Sequence, residues 1–265
     1  MNPVSVNELT ESVNSNLPRD VKSHIAKNIL TKEKDSETAK NIFAELINDL
    51  SLKTQKEVIN ATGTLLHTNL GRSPNKISYP GTYTNIEYDL TTLSRGKRNE
   101  YLSVLMNNLI GSEDIIFVNN NASSLFVSLK AISKLHNIES VIISRGEIIE
   151  IGGSYRLPEI INETGLSLVE IGTTNKTRLS DYKKALEKYP NSLILKVHRS
   201  NFSISGFTED VSISELAELK NKYDVFLLHD LGSGLVIDKK FLEVNNVNIF
   251  RDEPFVQDSL SDGSD

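Results

Sequence analysis

The N-terminal part of the chain carries its hydrophobic residues at the spacing of amphipathic helices. A first helix is predicted to begin at Pro18, because proline favours the first turn of a helix. Its apolar positions lie four residues apart, at Val21, Ile25 and Ile29. A second helix is predicted to begin near Ser36, with an apolar face made of Ile42, Phe43, Leu46, Ile47 and Leu50. We therefore predict a short N-terminal helical arm over residues 1–55.

From about residue 56 the pattern changes to short, continuous apolar runs. Five of these runs predict buried strands, at Ile115–Val118, Val141–Ile143, Leu168–Ile171, Leu193–Val197 and Val225–Leu228. The stretches between them predict helices at Ala122–Leu135, Leu179–Lys188 and Ser214–Lys222. Continuous apolar runs separated by helices are typical of an α/β domain whose mostly parallel sheet is covered on both faces. We predict that residues 56–265 form such a domain.

Polar and glycine-rich segments follow all five predicted strands. They are Asn119–Ser124, Ser144–Glu147, Gly172–Asn175, His198–Asn201 and His229–Gly234. In parallel sheets, ligands bind at the carboxyl ends of the strands. One polar loop means little, but five in succession favour a binding site at this edge of the sheet.

Composition narrows the class of protein. The 265 residues are 38% hydrophobic and 24% charged, with a net charge of −6, which is typical of a globular protein. The chain has no cysteine, and its five histidines form no HExxH pattern, so we predict no metal site. The acidic balance argues against a general nucleic-acid binder but leaves room for one RNA docking surface. No apolar stretch is long enough to cross a membrane, and we predict a cytoplasmic protein.

Two of the polar segments suggest an anionic, ring-containing ligand. Asn121, Ala122 and Ser123 open a helix after an apolar run, and free backbone N–H groups there suit a phosphate dianion. The alternative is an ordinary helix cap. Asp230 ends an apolar strand, where a buried carboxylate needs a partner such as a protonated pyridine nitrogen. A capping role in the following loop explains Asp230 equally well.

The segment Asn60–Arg72 has the most distinctive composition in the chain. Small, hydroxyl and amide residues surround a glycine turn that ends on Arg72. An arginine in this setting suits bidentate binding of an oxyanion, although most single arginines are merely solvated. Neither a GxGxxG nor a GxxxxGK[ST] motif is present, so the motifs do not indicate a dinucleotide or a nucleoside triphosphate.

Several of these segments, in order, resemble the motifs of one family, the bacterial selenocysteine synthases (L-seryl-tRNA(Sec) selenium transferases). The resemblance runs over about residues 56–265. Its motifs are NATGTLLHTNLGR at Asn60–Arg72, NIEYDL at Asn85–Leu90, VNNNA at Val118–Ala122, SRGEIIEIGGSYRLP at Ser144–Pro158, VEIGTTNKT at Val169–Thr177, KVHRSNFSISGF at Lys196–Phe207 and DLGSG at Asp230–Gly234.

The resemblance implies the large domain of a fold-type-I, pyridoxal-phosphate-dependent aminotransferase-like protein, incomplete in this chain. It implies conversion of seryl-tRNA(Sec) to selenocysteinyl-tRNA(Sec) with selenophosphate, by a large homo-oligomer. The cofactor's phosphate would be held by Asn121, Ala122 and Ser123, and its ring nitrogen by Asp230. The anionic group of the selenium donor would be held by Arg72 and Asn201, and an active-site loop would carry Thr173 and Thr174.

The chain also departs from the family pattern. The resemblance places the Schiff-base lysine beyond Asp265, so no catalytic lysine is assigned here and no turnover is expected from these residues alone. Arg199 stands where the family commonly has a small hydroxyl residue, and the N-terminal arm lacks the family's tRNA-binding pattern. Two alternatives remain open, namely a related pyridoxal-phosphate lyase acting on a small amino acid and a non-catalytic remnant.

Overall fold

A computed structural model describes residues 3–74, 81–151, 155–237, 239–245 and 253–265. The chain divides into two compact units, residues 1–82 and 83–265. The predicted boundary between a helical arm ending at residue 55 and a domain beginning at residue 56 stays a prediction. Residues 152–154, part of the Ser144–Pro158 motif, lie outside the described residues.

Three helices build the first unit. They are α1 (Val6–Ser12), α2 (Arg19–Lys32) and α3 (Ser36–Lys53). The sequence analysis did not predict α1, although its capping box was visible as Ser5 followed by Glu8. The predictions of α2 and α3 are confirmed, and a one-turn 3-10 helix follows at Thr68–Leu70.

The predicted apolar face of α3 is only partly correct. Phe43 and Ile47 are fully buried, whereas Ile42, Leu46 and Leu50 are 37%, 42% and 36% exposed. The buried pair packs with Leu9 of α1 and Ala26 of α2, so these neighbours select a narrow stripe of α3. Hydrophobicity alone did not distinguish this stripe from the apolar positions beside it.

The second unit alternates helices and strands. Its helices are α4 (Glu100–Ile110), α5 (Asn121–His136), α6 (Leu157–Glu163), α7 (Leu179–Lys188), α8 (Ile213–Tyr223), α9 (Lys239–Val244) and α10 (Val256–Ser261). Its strands are β1 (Tyr88–Asp89), β2 (Ser94–Arg95), β3 (Ser140–Ser144), β4 (Glu150–Ile151), β5 (Tyr155–Arg156), β6 (Ser167–Ile171), β7 (Ser192–Val197) and β8 (Leu227–Asp230). The predicted helices α5, α7 and α8 are confirmed, α7 with the same bounds.

Four parallel strands form the main sheet, in the order β6-β3-β7-β8. Every residue of β3 and β7 is buried, which explains their continuous apolar runs. Successive side chains enter opposite layers. Ile142 packs with Tyr182 of α7 and Leu216 of α8, while Val141 packs with Leu129 of α5. The predicted α/β class and the parallel sheet covered on both faces are confirmed.

One predicted strand is absent. Ile115–Val118 forms no strand, and Ile116 and Phe117 are 74% and 50% exposed. A strand needs a neighbouring strand to pair its backbone groups, and an apolar run alone does not supply one.

Tyr182 provides a stability prediction. Its side chain is fully buried, and its hydroxyl has no hydrogen-bond partner among the described residues. Because a buried, unpaired hydroxyl is costly, Tyr182→Phe is expected to raise the free energy of unfolding by about 1 kcal/mol, measured by urea denaturation. Tyr223→Phe is the control, since that hydroxyl donates to Glu187 at 3.3 Å on the surface and its removal should change little. A loss of stability in Tyr182→Phe would mean that the hydroxyl has a partner.

Candidate functional site

The carboxyl ends of the four main strands lie at one edge of the sheet. Because the strands are parallel and in register, Ser144 pairs with Ile171 and Val197 pairs with Asp230 at the ends of their strands. The four segments that follow therefore leave the sheet on the same side. This arrangement confirms that four of the five polar segments lie at one edge of the sheet, while a binding site there stays a prediction.

The fifth segment reaches this edge through the beginning of α5. The Asn121 Nδ2 donates a hydrogen bond to the Asp230 Oδ1 at 2.8 Å, across 109 residues of sequence. The backbone N–H of Gly232 donates to the same oxygen at 2.9 Å. Asp230 Oδ2 accepts no such bond from the described residues and stays available to a further partner. The structure thus joins two of the predicted ligand-binding residues directly.

The N-terminus of α5 is capped by Asn120. Its side-chain oxygen accepts the backbone N–H of Ser123 at 2.9 Å, and its carbonyl accepts that of Ser124 at 3.1 Å. An ordinary helix cap is therefore present, but the capping residue is Asn120 and not one of the three residues predicted to bind phosphate. The backbone N–H groups of Asn121 and Ala122 make no backbone hydrogen bond within the described part of the chain, as is usual in a first turn.

Thr173 and Thr174 lie in a tight turn after β6. The backbone N–H of Thr173 donates to the Lys176 carbonyl at 2.8 Å, and the Thr173 hydroxyl accepts the Lys176 N–H at 3.2 Å. Both threonine side chains are exposed. They line a cavity of about 40 Å³ together with the side chain of Arg199.

Asn201 belongs to the second unit, and Arg72 belongs to the first. Asn201 is exposed in a turn after β7. Arg72 has an exposed side chain and a backbone N–H that donates to the His67 carbonyl at 3.0 Å. Its φ of 62° lies in the left-handed region, which is uncommon for a residue other than glycine. The anion-binding roles of both residues stay predictions.

The sequence analysis missed an ionic cluster at this edge, formed by Glu147, Lys196, Arg199 and Asp210. Lys196 Nζ contacts Glu147 Oε1 at 2.5 Å and Asp210 Oδ1 at 2.6 Å. Arg199 Nη2 contacts Asp210 Oδ2 at 3.2 Å. A lysine inside the apolar run of β7 was the available sequence signal, because a buried cation needs an anionic partner.

Burial acts differently on the two carboxylates of the ionic cluster. Glu147 is 1% exposed, and loss of solvation raises its pKa despite the attraction of Lys196. Burial also acts to raise the pKa of Asp210, but Lys196, the N–H of Val211 and Arg199 outweigh it, and the pKa is lowered. Asp210 is therefore held as the anion that the two cations share.

Two histidines also lie near this edge. His198 directly follows β7, and His229 is the residue of β8 before Asp230. His229 Nδ1 lies 2.7 Å from the Ser259 hydroxyl, and burial, with smaller effects of Lys196 and His198, lowers its pKa to about 4. His198 Nε2 lies 3.7 Å from the Glu253 carboxylate, whose other oxygen accepts the N–H of Gly234. His229 is thus neutral at ordinary pH.

The described residues contain no group of three or more histidine, cysteine, aspartate or glutamate side chains placed to hold a metal ion. Among the helices of the same residues, none is long and apolar enough to cross a membrane.

Comparison with known proteins identifies the family. The model of the family L-seryl-tRNA selenium transferase (SelA) matches residues 58–265. Two proteins named L-seryl-tRNA(Sec) selenium transferase, from Aliarcobacter butzleri and Aquifex aeolicus, are 42% and 40% identical over 234 and 255 residues. These matches cover 85% and 93% of this chain but 49% and 54% of the relatives, so the chain spans about half their length. A solved D-glucosaminate-6-phosphate ammonia-lyase is 14% identical with a TM-score of 0.47, over 63% of this chain and 42% of that one. The motif series, confirmed by the family match, places this chain in the L-seryl-tRNA selenium transferase family.

Proposed function

We propose that this chain is the cofactor-binding part of a pyridoxal-phosphate-dependent L-seryl-tRNA(Sec) selenium transferase with fold-type-I architecture. The enzyme would convert seryl-tRNA(Sec) to selenocysteinyl-tRNA(Sec) with selenophosphate. Family membership supports the proposed reaction. The hydrogen bond between Asn121 and Asp230 supports the proposed position of the cofactor. That one contact brings a carboxylate and the first turn of a helix to the same place, as a ring with a phosphate requires.

Asp230 fits the ring nitrogen of pyridoxal phosphate. Its Oδ1 is held by two donors, Asn121 and Gly232, and this leaves Oδ2 for a protonated nitrogen. A fixed carboxylate next to that nitrogen favours the protonated ring. When bound, pyridoxal phosphate supplies an electron sink for the electrons released at the seryl Cα. The part of Asp230 in this chemistry is to hold the proton on the ring nitrogen.

The beginning of α5 fits the phosphate group. The backbone N–H groups of Asn121 and Ala122 and the hydroxyl of Ser123 are the donors there, since the Ser123 N–H is already bound by Asn120. The partial positive charge of a 16-residue helix adds to these donors. Asn121 would therefore serve both ends of the cofactor, with its backbone at the phosphate and its side chain on Asp230.

Arg72, Asn201, Thr173 and Thr174 are the residues proposed for the anionic selenium donor. The exposed hydroxyl of Thr174 is able to donate to an oxyanion, whereas that of Thr173 donates to the Lys176 carbonyl at 3.1 Å and would have to turn away from it. Arg72 would add a bidentate, positively charged donor. A tRNA substrate implies a cytoplasmic enzyme, and the exposed apolar residues Tyr101 and Val104 of α4 support association into a homo-oligomer.

Titration with pyridoxal phosphate, followed by absorbance, tests the cofactor site. The chain is expected to bind the cofactor, and Asp230→Asn is expected to weaken binding about tenfold, because the amide retains the hydrogen-bond acceptor but loses the charge. Asp224→Asn is the matched control, an exposed residue that comes shortly before β8 and should leave the affinity unchanged.

Absence of binding by the unmodified chain would contradict the cofactor site. The reaction itself is tested by fusing this chain to the C-terminal half of the Aliarcobacter butzleri relative and assaying seryl-tRNA(Sec) with selenophosphate. Formation of selenocysteinyl-tRNA(Sec) supports the transferase. A fusion that binds cofactor but releases only products from a free amino acid would instead support a lyase.

A further inference from the structure

The ionic cluster joins the turn after β3 to β7 and to the segment that follows β7. Glu147 lies in the turn after β3, and Lys196 lies within β7. Asp210 directly follows Glu209. The backbone N–H of Glu209 donates to the carbonyl of Asn175, which lies in the loop after β6. The loop after β6 is therefore tied to the cluster through the backbone next to Asp210.

Arg199 makes a second connection, through Gly146. Its Nη2 is paired with Asp210, and its Nη1 donates to the Gly146 carbonyl at 3.4 Å. A Cβ atom on Gly146 would stand 2.6 Å from the carbonyl oxygen of Thr174, so the two backbones are in direct contact. The guanidinium group thus holds the peptide against which Thr174 packs.

Burial of an ionic cluster is a poor means of gaining stability. Desolvation offsets most of the Coulomb attraction, and apolar side chains of similar size often stabilise a protein more. Two cations and two anions nevertheless occupy this edge, with Glu147 1% and Lys196 11% exposed. Such a neutral, hydrogen-bonded group is better suited to fixing the relative positions of loops than to stabilising the fold.

We propose that Arg199 is a positioning residue, which holds the loop of Thr173 and Thr174 in place through Gly146 and Asp210. This inference rests on the proposed function for its consequence, because those threonines are the proposed contacts of the selenium donor.

Amide hydrogen exchange on this chain, measured by NMR, tests the proposal. The N–H groups of Thr173 and Thr177 are hydrogen-bonded to Lys176 and Glu209 and report on the loop. In Arg199→Met these two amides are expected to exchange about five times faster, because the loop opens locally more often. Exchange in β3 and β7 should stay the same, because Lys196 and Glu147 remain paired. Arg145→Met is the control, since Arg145 lies next to Gly146 but pairs with Glu170 at 3.2 Å and is 54% exposed.

Other exchange results would overturn the proposal, and a lysine variant tests the contact with Gly146. Unchanged exchange at Thr173 and Thr177, or an equal increase throughout β3 and β7, would overturn the proposal. Arg199→Lys retains a charge for Asp210 but has no fork to reach Gly146, so it should also exchange faster than the unmodified chain. Full restoration of slow exchange by lysine would overturn the connection through Gly146.

Cofactor titration separates this inference from the proposed function. Arg199→Met leaves Asn121 and Asp230 intact, so it should bind pyridoxal phosphate with unchanged affinity. If the unmodified chain fails to bind the cofactor, the proposed function fails, while the exchange result still decides whether Arg199 positions the loop.

Discussion

Lys196→Met is expected to lower the free energy of unfolding by about 3–5 kcal/mol, because it removes the cation from an almost fully buried Glu147. Glu147 would retain only the N–H of Val197, at 3.0 Å, to compensate its charge. Its raised pKa already shows how poorly this place solvates a carboxylate. A loss of this size is a large part of the stability of an ordinary domain, and urea denaturation at pH 7 measures it.

Two further variants identify the cause of that loss. Lys184→Met makes the same substitution at an exposed position of α7 and should change stability little. The double variant Glu147→Gln, Lys196→Met removes both charges and retains an oxygen for the N–H of Val197. It should therefore be more stable than Lys196→Met alone. A single variant that loses less than about 1 kcal/mol, or a double variant that recovers nothing, would contradict a buried charge as the cause.

Acid is expected to destabilise the chain through His229. The pKa of this histidine falls from 6.5 to about 4 on folding, chiefly because burial disfavours the charged ring. Between these values the unfolded chain binds a proton that the folded chain does not, so stability is complete above pH 6.5 and decreases toward pH 4. The expected contribution is about 3 kcal/mol over that range, from about 1.4 kcal/mol for each unit of pKa.

Urea denaturation at a series of pH values measures this effect. His229→Asn keeps an oxygen for the Ser259 hydroxyl and has no titratable group, so its stability should decrease less between pH 6.5 and 4 than that of the unmodified chain. His24→Asn, at an exposed position of α2, should retain the full decrease. Parallel curves for the unmodified chain and His229→Asn would show that another group causes the acid sensitivity.

The two effects have a common origin at the carboxyl edge of the sheet. Lys196 is one of the charges that lower the pKa of His229, and it also holds the ionic cluster together. The edge therefore combines a buried cation with a neutral histidine directly before Asp230. Asp230, proposed to bind the cofactor, therefore directly follows a histidine that burial and nearby positive charge keep neutral.

The four strands of the main sheet and the helices α5, α7 and α8 were predictable from the chain alone. The apolar runs of β3, β6 and β7 and the helix α7 could be assigned because they reflect local burial, which repeats with a period set by the backbone. The polar segments after these strands could be assigned to one edge because parallel strands share a direction. Motif order also identified the family, since each motif is a local string of residues.

Tertiary packing decided the rest. Hydrophobicity marked Ile115–Val118 as a strand, but no strand of the described residues pairs with it. Apolar content likewise marked more of α3 than its neighbours bury. The contact of Asn121 with Asp230 joins residues 109 positions apart, and that of Glu147 with Lys196 joins residues 49 apart. Such pairs leave no periodic pattern, because they depend on where the packed strands end. The sequence thus determined which residues are available at this edge, and the fold alone decided which of them meet.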